Sequence, residues 1–346
     1  MSTGKLKSRF SKNDLCTALR QAGVQKGDCT VSHCSLFDFG FPDLKGENLC
    51  HFYLDAYFKV AGESGILVLP AFSYTFCKGE NFDPFTTKSE VNALANYCID
   101  NGLGIRTLDP IFSYVMVTLN DLRVYESGHN IDSTSTKHFS CLDDAAAADD
   151  DAGGVRANSN YSLLRSLSFT NDCLRYDNPS IAGFLLEHNA KYLMLGSLNH
   201  ISLLHSIELK MDSPYRFYKK FSGKVLTQAN DDWESFDSYY YVRCFVDNTV
   251  INIDTLSSQI DSWLQEPQFV NCSNQVPLGN SRITFAPLSV LLSRLEQAFS
   301  ENWLWLCKGP ALSEQELKQV RQDALEPSQI HIKTYPVIDL SNKIRA

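Results

Sequence analysis

The 346-residue sequence holds no run of about 18 apolar residues, the length that a bilayer-spanning helix needs. Its first ten residues, MSTGKLKSRF, are basic but lack the apolar core of a secretory signal, so the chain is expected in the cytoplasm. Positive charge is short: 31 Lys and Arg stand against 40 Asp and Glu, a net −9. A nucleic-acid binder needs a basic face to displace phosphate counterions, and this balance argues against one. There is no CxxC pair and no Cys/His spacing of a zinc site, so no metal is expected. The 11 cysteines are odd in number, and several sit in apolar runs (Cys98 in NALANYCI, Cys244 in YYVRCFV). They read as small buried hydrophobes in a reducing compartment. GxGxxG, Walker A and GxSxG are all missing, which removes the usual nucleotide cradle and hydrolase elbow.

What is present alternates. Apolar spacing predicts helices over 11–22, 46–60, 89–100, 178–187, 202–211, 255–264 and 288–299. Ser11 or Asn13 would cap the first and Gly23 would stop it, while Pro179 suits a first helical turn. Between the early helices lie short apolar runs at 29–32, 65–72, 112–119 and 190–195. GILVLPAF is apolar at successive positions, as in a strand covered on both faces. Helix–strand alternation of this kind implies an α/β fold, a three-layer α/β/α sandwich on a largely parallel or mixed central sheet. FDSYYYVRCFV and NTVINI add strands that read as antiparallel additions. The expected organisation is a single large domain over 1–310, a mobile acidic insert at about 120–168 and a C-terminal tail over 311–346.

In open parallel sheets ligands bind beyond the carboxyl ends of strands. Three polar clusters fall there: His33-Cys34-Ser35, Ser73-Tyr74-Thr75, and the segment 196–205. In SLLHSIE, His205 and Glu208 are three apart and share a helix face. A carboxylate so placed fixes the imidazole tautomer and strengthens it as a base, and Ser202 could cap that helix. The bland alternative is a partly buried His paired to Glu for structure alone. His33 and Cys34, neighbours on a strand, point to opposite faces and are poorly placed as base and nucleophile.

The clusters recur in a known order. His33-Cys34-Ser35-Leu36, GILVLPAFSYTF, FDPFTTKSEV, RTLDPIFSYVMV and YLMLGSLNHISLLHSIE with PYRFYKKFSG together resemble the aminoglycoside 3-N-acetyltransferase family, which is unrelated in fold to the GNAT enzymes. The matching segments span roughly residues 10–245. That resemblance implies transfer of an acetyl group from acetyl-CoA to an amine of an amino sugar, with His205 as catalytic base and Glu208 beside it. It further implies that His33, Ser35, Leu36, Ser73, Arg106, Phe112 and Ser113 line the cofactor groove. Tyr74, Asp83 and Tyr215 would face the acceptor. The family usually has His before Pro110, where this chain has Asp109, and Ser where it has Cys34.

On this reading the partner is a small-molecule amine, either an amino-sugar metabolite or sugar nucleotide of polysaccharide synthesis, or an aminoglycoside. No nucleic acid and no membrane partner is expected, and a homo-oligomer is compatible with the sequence. Lys210, Arg216, Lys219 and Lys220 form a basic patch suited to the phosphates of CoA or a nucleotide. Two other classes compete: an acyl-enzyme hydrolase or transferase using Cys34, and a non-catalytic CoA-binding descendant.

Overall fold

The computed structural model describes residues 9–127, 180–213, 215–228, 232–243, 251–302, 304–308 and 312–325. Helix α1 (Lys12–Ala22) begins at a reciprocal capping box. The Ser11 hydroxyl accepts from the Asp14 N–H, and the Asp14 carboxylate accepts from the Ser11 N–H. Gly23 ends the helix with a φ of 114°, a left-handed conformation that glycine adopts without strain. Asn48 and Asn92 cap α2 (Leu49–Ala61) and α3 (Ala93–Asp100), each side chain accepting two first-turn N–H groups. These caps start two helices a few residues later than apolar spacing alone suggests. Helix α4 (Leu119–Glu126), opened by a Thr118–Asp121 capping box, occupies the start of the expected insert. The rest of that insert, and Pro179, lie outside the described residues.

Eleven strands follow the chain among the described residues. They are β1 (Arg9–Phe10), β2 (Cys29–Cys34), β3 (Phe41–Pro42), β4 (Ile66–Pro70), β5 (Ile105–Arg106), β6 (Tyr114–Thr118), β7 (Lys191–Leu195), β8 (Arg216–Gln228), β9 (Asp232–Arg243), β10 (Asn274–Leu278) and β11 (Ser281–Pro287). The central sheet has seven strands in the order β10-β11-β7-β2-β4-β6-β5. Only β7, β2 and β4 run parallel, and every other pairing is antiparallel. The sheet is therefore mixed. Two elements escape the periodicity argument. The β10–β11 hairpin falls in a stretch without an apolar run, and β8 carries charged residues along its length. Residues 248–250 of NTVINI lie outside the described residues.

Alternation divides each strand between two cores. Leu67, Leu69, Val115, Val117, Leu193 and Leu195 face α1, α2 and α3. Val31, Ile66, Val68, Tyr114, Met116, Tyr192 and Met194 face the opposite layer. There α5 (Ile181–Glu187), α6 (Leu204–Lys210), α7 (Ile253–Trp263) and α9 (Leu288–Glu301) pack, with the short α8 (Pro267–Val270) between the last two. Helix α10 (Glu314–Leu325) ends the described chain. Burying each of these side chains contributes about 1.5–3 kcal/mol, so two full layers hold the sheet from both sides. The paired strands β8 and β9 lie outside the main sheet. A bridge between Phe82 and Val225 joins β8 to the loop after β4.

Candidate active site

The parallel trio β7-β2-β4 brings its three carboxyl ends together, and Cys34 of β2 pairs with Leu195 of β7 at that edge. Gly196 turns the chain there with a φ of 152°, and a Cβ on it would meet Ser35 Cβ at 3.0 Å. The loop that follows is held from below. The Asn199 N–H donates to Ser257 Oγ (2.9 Å), and its amide donates to Asp261 (2.7 Å). Asp261 also takes Gln275 (2.6 Å) and Arg282 (2.6 Å) from the β10–β11 hairpin. This network fixes where His200 and Ser202 lie.

Cys29, Val31 and His33 point to the α6 side of β2, whereas Cys34 packs toward α2 and α3. His33 is buried, and its Nε2 accepts the Ser202 N–H at 2.9 Å. Nε2 therefore carries the lone pair and Nδ1 the proton. The edge of His200 stands 5.3 Å from the His33 ring. Burial, and then His200, holds the His33 pKa well below the ordinary value; burial, and then His205, takes His200 down to about 4. Both rings are neutral near pH 7. Ser202 does not cap α6. Its hydroxyl pairs with Tyr114 Oη (3.1 Å) and its N–H serves His33, so the helix begins at Leu204 without a side-chain cap.

His205 lies on the first turn of α6, with Nδ1 2.7 Å from Glu208 Oε2. Glu208 is fully buried. It also accepts the Tyr215 hydroxyl (2.7 Å) and pairs with Arg216 Nε at 2.8 Å. Burial alone would raise its pKa, but Arg216, followed by His205 and Tyr215, holds it down at about 2. A charged carboxylate at Nδ1 makes that nitrogen the proton donor and leaves the lone pair on Nε2. No described residue hydrogen-bonds Nε2, and 26% of the side chain remains exposed. The Phe112 ring, 5.8 Å away, flanks the imidazole. This arrangement can take a proton from a group approaching Nε2 and hold the resulting imidazolium against Glu208.

The other expected site residues divide sharply. The Ser35 hydroxyl, half-buried at the end of β2, bonds no described residue, and its N–H donates to the Leu195 carbonyl at 2.7 Å. Ser113 is fully buried, donating to the Ala71 carbonyl (2.9 Å) and accepting from Arg106 Nε (3.1 Å). Ser73 donates to the Pro110 carbonyl at 2.9 Å. Both hydroxyls are therefore engaged with the fold. Leu36 is buried in the α1–α2 core. Arg106 staples the loop after β4 in place. It bonds the carbonyls of Ala71, Pro84 and Thr87, lies 4.8 Å over the Phe82 ring, and burial lowers its pKa to about 9.

Asp83 is a turn residue, accepting from the Phe85 N–H (2.8 Å) and Thr86 (2.6 Å). Tyr215 is buried with its hydroxyl donating to Glu208, while Tyr74 stacks on Tyr240 at 6.2 Å. Asp109 accepts the N–H groups of Ile111 and Phe112, each at 2.8 Å, a structural cap. Cys34 donates to Asn92 Oδ1 at 3.2 Å, and burial pushes its thiol up to about 11, so no thiolate is available there.

The basic patch expected after His205 dissolves. Arg216 is buried on Glu208, Lys210 pairs with Glu296 (2.6 Å), Lys220 pairs with Asp237 (2.5 Å), and Lys219 points inward. Sequence reasoning missed Arg216 as the partner of Glu208 and missed Tyr240 and His200 altogether. No helical spacing links them to His205: His200 lies in irregular chain before α6, Arg216 follows a turn after it, and Tyr240 lies a further strand away.

No family model matches this sequence, and no curated protein matches it. Solved structures do match. The aminoglycoside acetyltransferase AAC(3)-IVa, as the apoenzyme, superposes with a TM-score of 0.57 at 15% identity, over 92% of this chain and 98% of that one. AAC-IIIb in its binary form with CoASH gives 0.60 at 14% identity, over 88% and 100%. The YokD protein from Bacillus subtilis gives 0.56 at 13%, over 85% and 95%. The chain has the fold of the aminoglycoside acetyltransferases.

Proposed function

We propose that this chain is an acyl-CoA-dependent N-acyltransferase that moves an acetyl group directly onto an amine, with His205 as the general base. The observation that carries this reading is the His205–Glu208–Arg216 chain. A buried, charged carboxylate on Nδ1 leaves one exposed lone pair on Nε2. An ammonium approaching Nε2 gives up a proton there, and its nitrogen becomes nucleophilic. Glu208 stabilises the imidazolium, and Arg216 with Tyr215 keeps Glu208 charged and aimed. Base catalysis of this kind supplies roughly 10²–10⁴ in rate.

The residues fit an acyl-CoA donor in a narrower way than the resemblance implied. Ser113, Ser73, Leu36 and Arg106 are committed to the fold, so Ser35 is the side chain at the strand ends that would donate to the thioester oxygen. Acyl-CoA, when bound, supplies the activated carbon and a thiolate leaving group that needs no strong general acid. His33 and His200 stay neutral beside the base, so no second positive charge opposes the imidazolium as it forms. The solved AAC-IIIb complex with CoASH supports the donor, and the sisomicin-bound AAC-VIa structure supports an amine acceptor.

The test is a thiol-release assay with acetyl-CoA and a panel of aminoglycosides, amino sugars and their phosphates. Acceptor-dependent release that His205→Ala abolishes carries the reading. Release that is unaffected by the substitution, or no release with any amine, overturns it. The mass of the chain is expected to be unchanged after incubation with acetyl-CoA alone, because Cys34 is a neutral thiol on the far face of the sheet.

A further inference from the structure

Strands β8 and β9 set an unusual side chain beside this site. Phe217, Lys219 and Phe221 alternate onto the same face of β8, and all three are buried. Lys219 is only 3% exposed. Its Nζ has no hydrogen-bond partner among the described residues. What it meets is the Phe221 ring, 5.5 Å away. The other cations nearby are matched: Arg216 by Glu208, Lys210 by Glu296, Lys220 by Asp237. Burial lowers the Lys219 pKa, with only the Cys77 thiol opposing that shift. A buried ammonium without an anion is costly, and one aromatic face offsets only part of that cost.

Position gives this amine its meaning. Lys219 stands directly across the ladder from Tyr240, so the two side chains share a face about 5 Å apart. The Tyr240 ring lies 4.9 Å from Phe112, whose ring lies 5.8 Å from His205. Two ring contacts and one cross-strand pair thus separate the ammonium from the proposed base. Tyr240 is half-buried, and its ring packs against Tyr74, Phe112 and Phe221 at the entrance to this face of the hairpin.

We propose that Lys219 seats a carboxylate or phosphate of the acyl acceptor, which makes the substrate of this site an amine that also bears an acid group. The inference rests on the transferase reading above. A donor phosphate on this lysine would act alike with every acceptor, so a preference among acceptors that K219M removes marks an acid group on the acceptor. A purely polycationic acceptor would meet an unpaired positive charge here, whereas an acid-bearing one supplies the missing partner.

The experiment uses the purified full chain, acetyl-CoA and matched acceptors, glucosamine against glucosamine 6-phosphate and hexosamines against their uronic acids. The reading is the ratio of kcat/KM for the acid-bearing acceptor to that for its neutral partner. In the wild type the ratio is expected to be about 10 or more, the worth of a hydrogen bond to a charged group. K219M should bring it near one, and K219R should keep most of it. A wild-type ratio near one, or a ratio that K219M leaves unchanged, overturns the proposal. Met matches Lys in length and removes an unpaired charge, so the variant is expected to fold with a raised Tm.

A second measurement stands apart from catalysis. Inorganic phosphate and acetate should raise the Tm of the wild type and not that of K219M. Equal protection of both, or of neither, counts against the seat. If no amine accepts an acyl group, the transferase reading falls alone, and these Tm shifts still judge Lys219.

Discussion

The two faces of the central sheet are built from opposite materials. On one side α1, α2 and α3 bring leucines, alanines and aromatic rings onto Leu67, Leu69, Val115, Val117, Leu193 and Leu195. Two of those helices start at an asparagine cap and the third at a capping box, so each is closed by residues within its own first turn. On the other side, at the carboxyl ends of β2, β4 and β7, the buried groups include His33, Glu208, Arg216, Ser202 and Lys219. Glu208, Arg216, Ser202 and the Nε2 of His33 meet residues far away in sequence or across a turn, whereas His33 Nδ1 and Lys219 Nζ have no hydrogen-bond partner among the described residues. The first face supplies stability by area. The second spends stability on holding charges where they can act.

Substitutions should expose that contrast. The largest effect is expected at His205→Ala, which should lower turnover by roughly 10²–10⁴ while the unfolding midpoint stays near that of the wild type. A matching loss of stability would mean that His205 serves packing, and the contrast would fail. Next, Arg216→Met strands the buried Glu208 carboxylate and should cost about 3–5 kcal/mol in urea unfolding. Across the sheet, Leu54→Ala cuts a fully buried side chain and should cost about 3 kcal/mol, with turnover per folded molecule unchanged.

Acid should act on the site face as well. His200 is held at about 4 in the fold, below the ordinary value of about 6.5. Between those values the unfolded chain binds a proton that the folded chain refuses. Stability is thus complete above about pH 6.5 and falls as pH drops toward 4, by up to about 1.4 kcal/mol per pH unit. His33, held down in the same direction, adds to that loss, so the dependence of urea midpoints on pH should lessen in His200→Asn without vanishing. The smallest effect is expected at Ser11→Ala, which removes one cap and should cost about 1 kcal/mol without touching turnover.

Much of the first face was legible in the chain. Ser11, Asp14 and Gly23 lie within one helix length, and apolar spacing marks the side that α1 buries. The His205–Glu208 pair was legible for the same reason, since three residues on a helix is a fixed distance. The hydrogen bonds that engage Ser73 and Ser113 within the fold were not legible in the same way. A hydroxyl looks alike in sequence whether its partner is a ligand or the carbonyl of Pro110 or Ala71. Strand β8 was missed because RFYKKFSG sets Lys219 where alternation expects an apolar residue. A charge on the buried face hides the period of two.

Local order, then, was written in the chain itself: where helices start and stop, which stripe each one buries, and that an imidazole and a carboxylate share a turn. These depend on interactions a few residues long, and backbone geometry makes such distances nearly constant. The packed molecule alone decided the sheet's mixed direction, the burial of Arg216 against Glu208, and the solitary Lys219 beside Tyr240. Those outcomes depend on which distant segments meet, and burial then determines whether each polar group finds a partner, keeps its charge or is left without one.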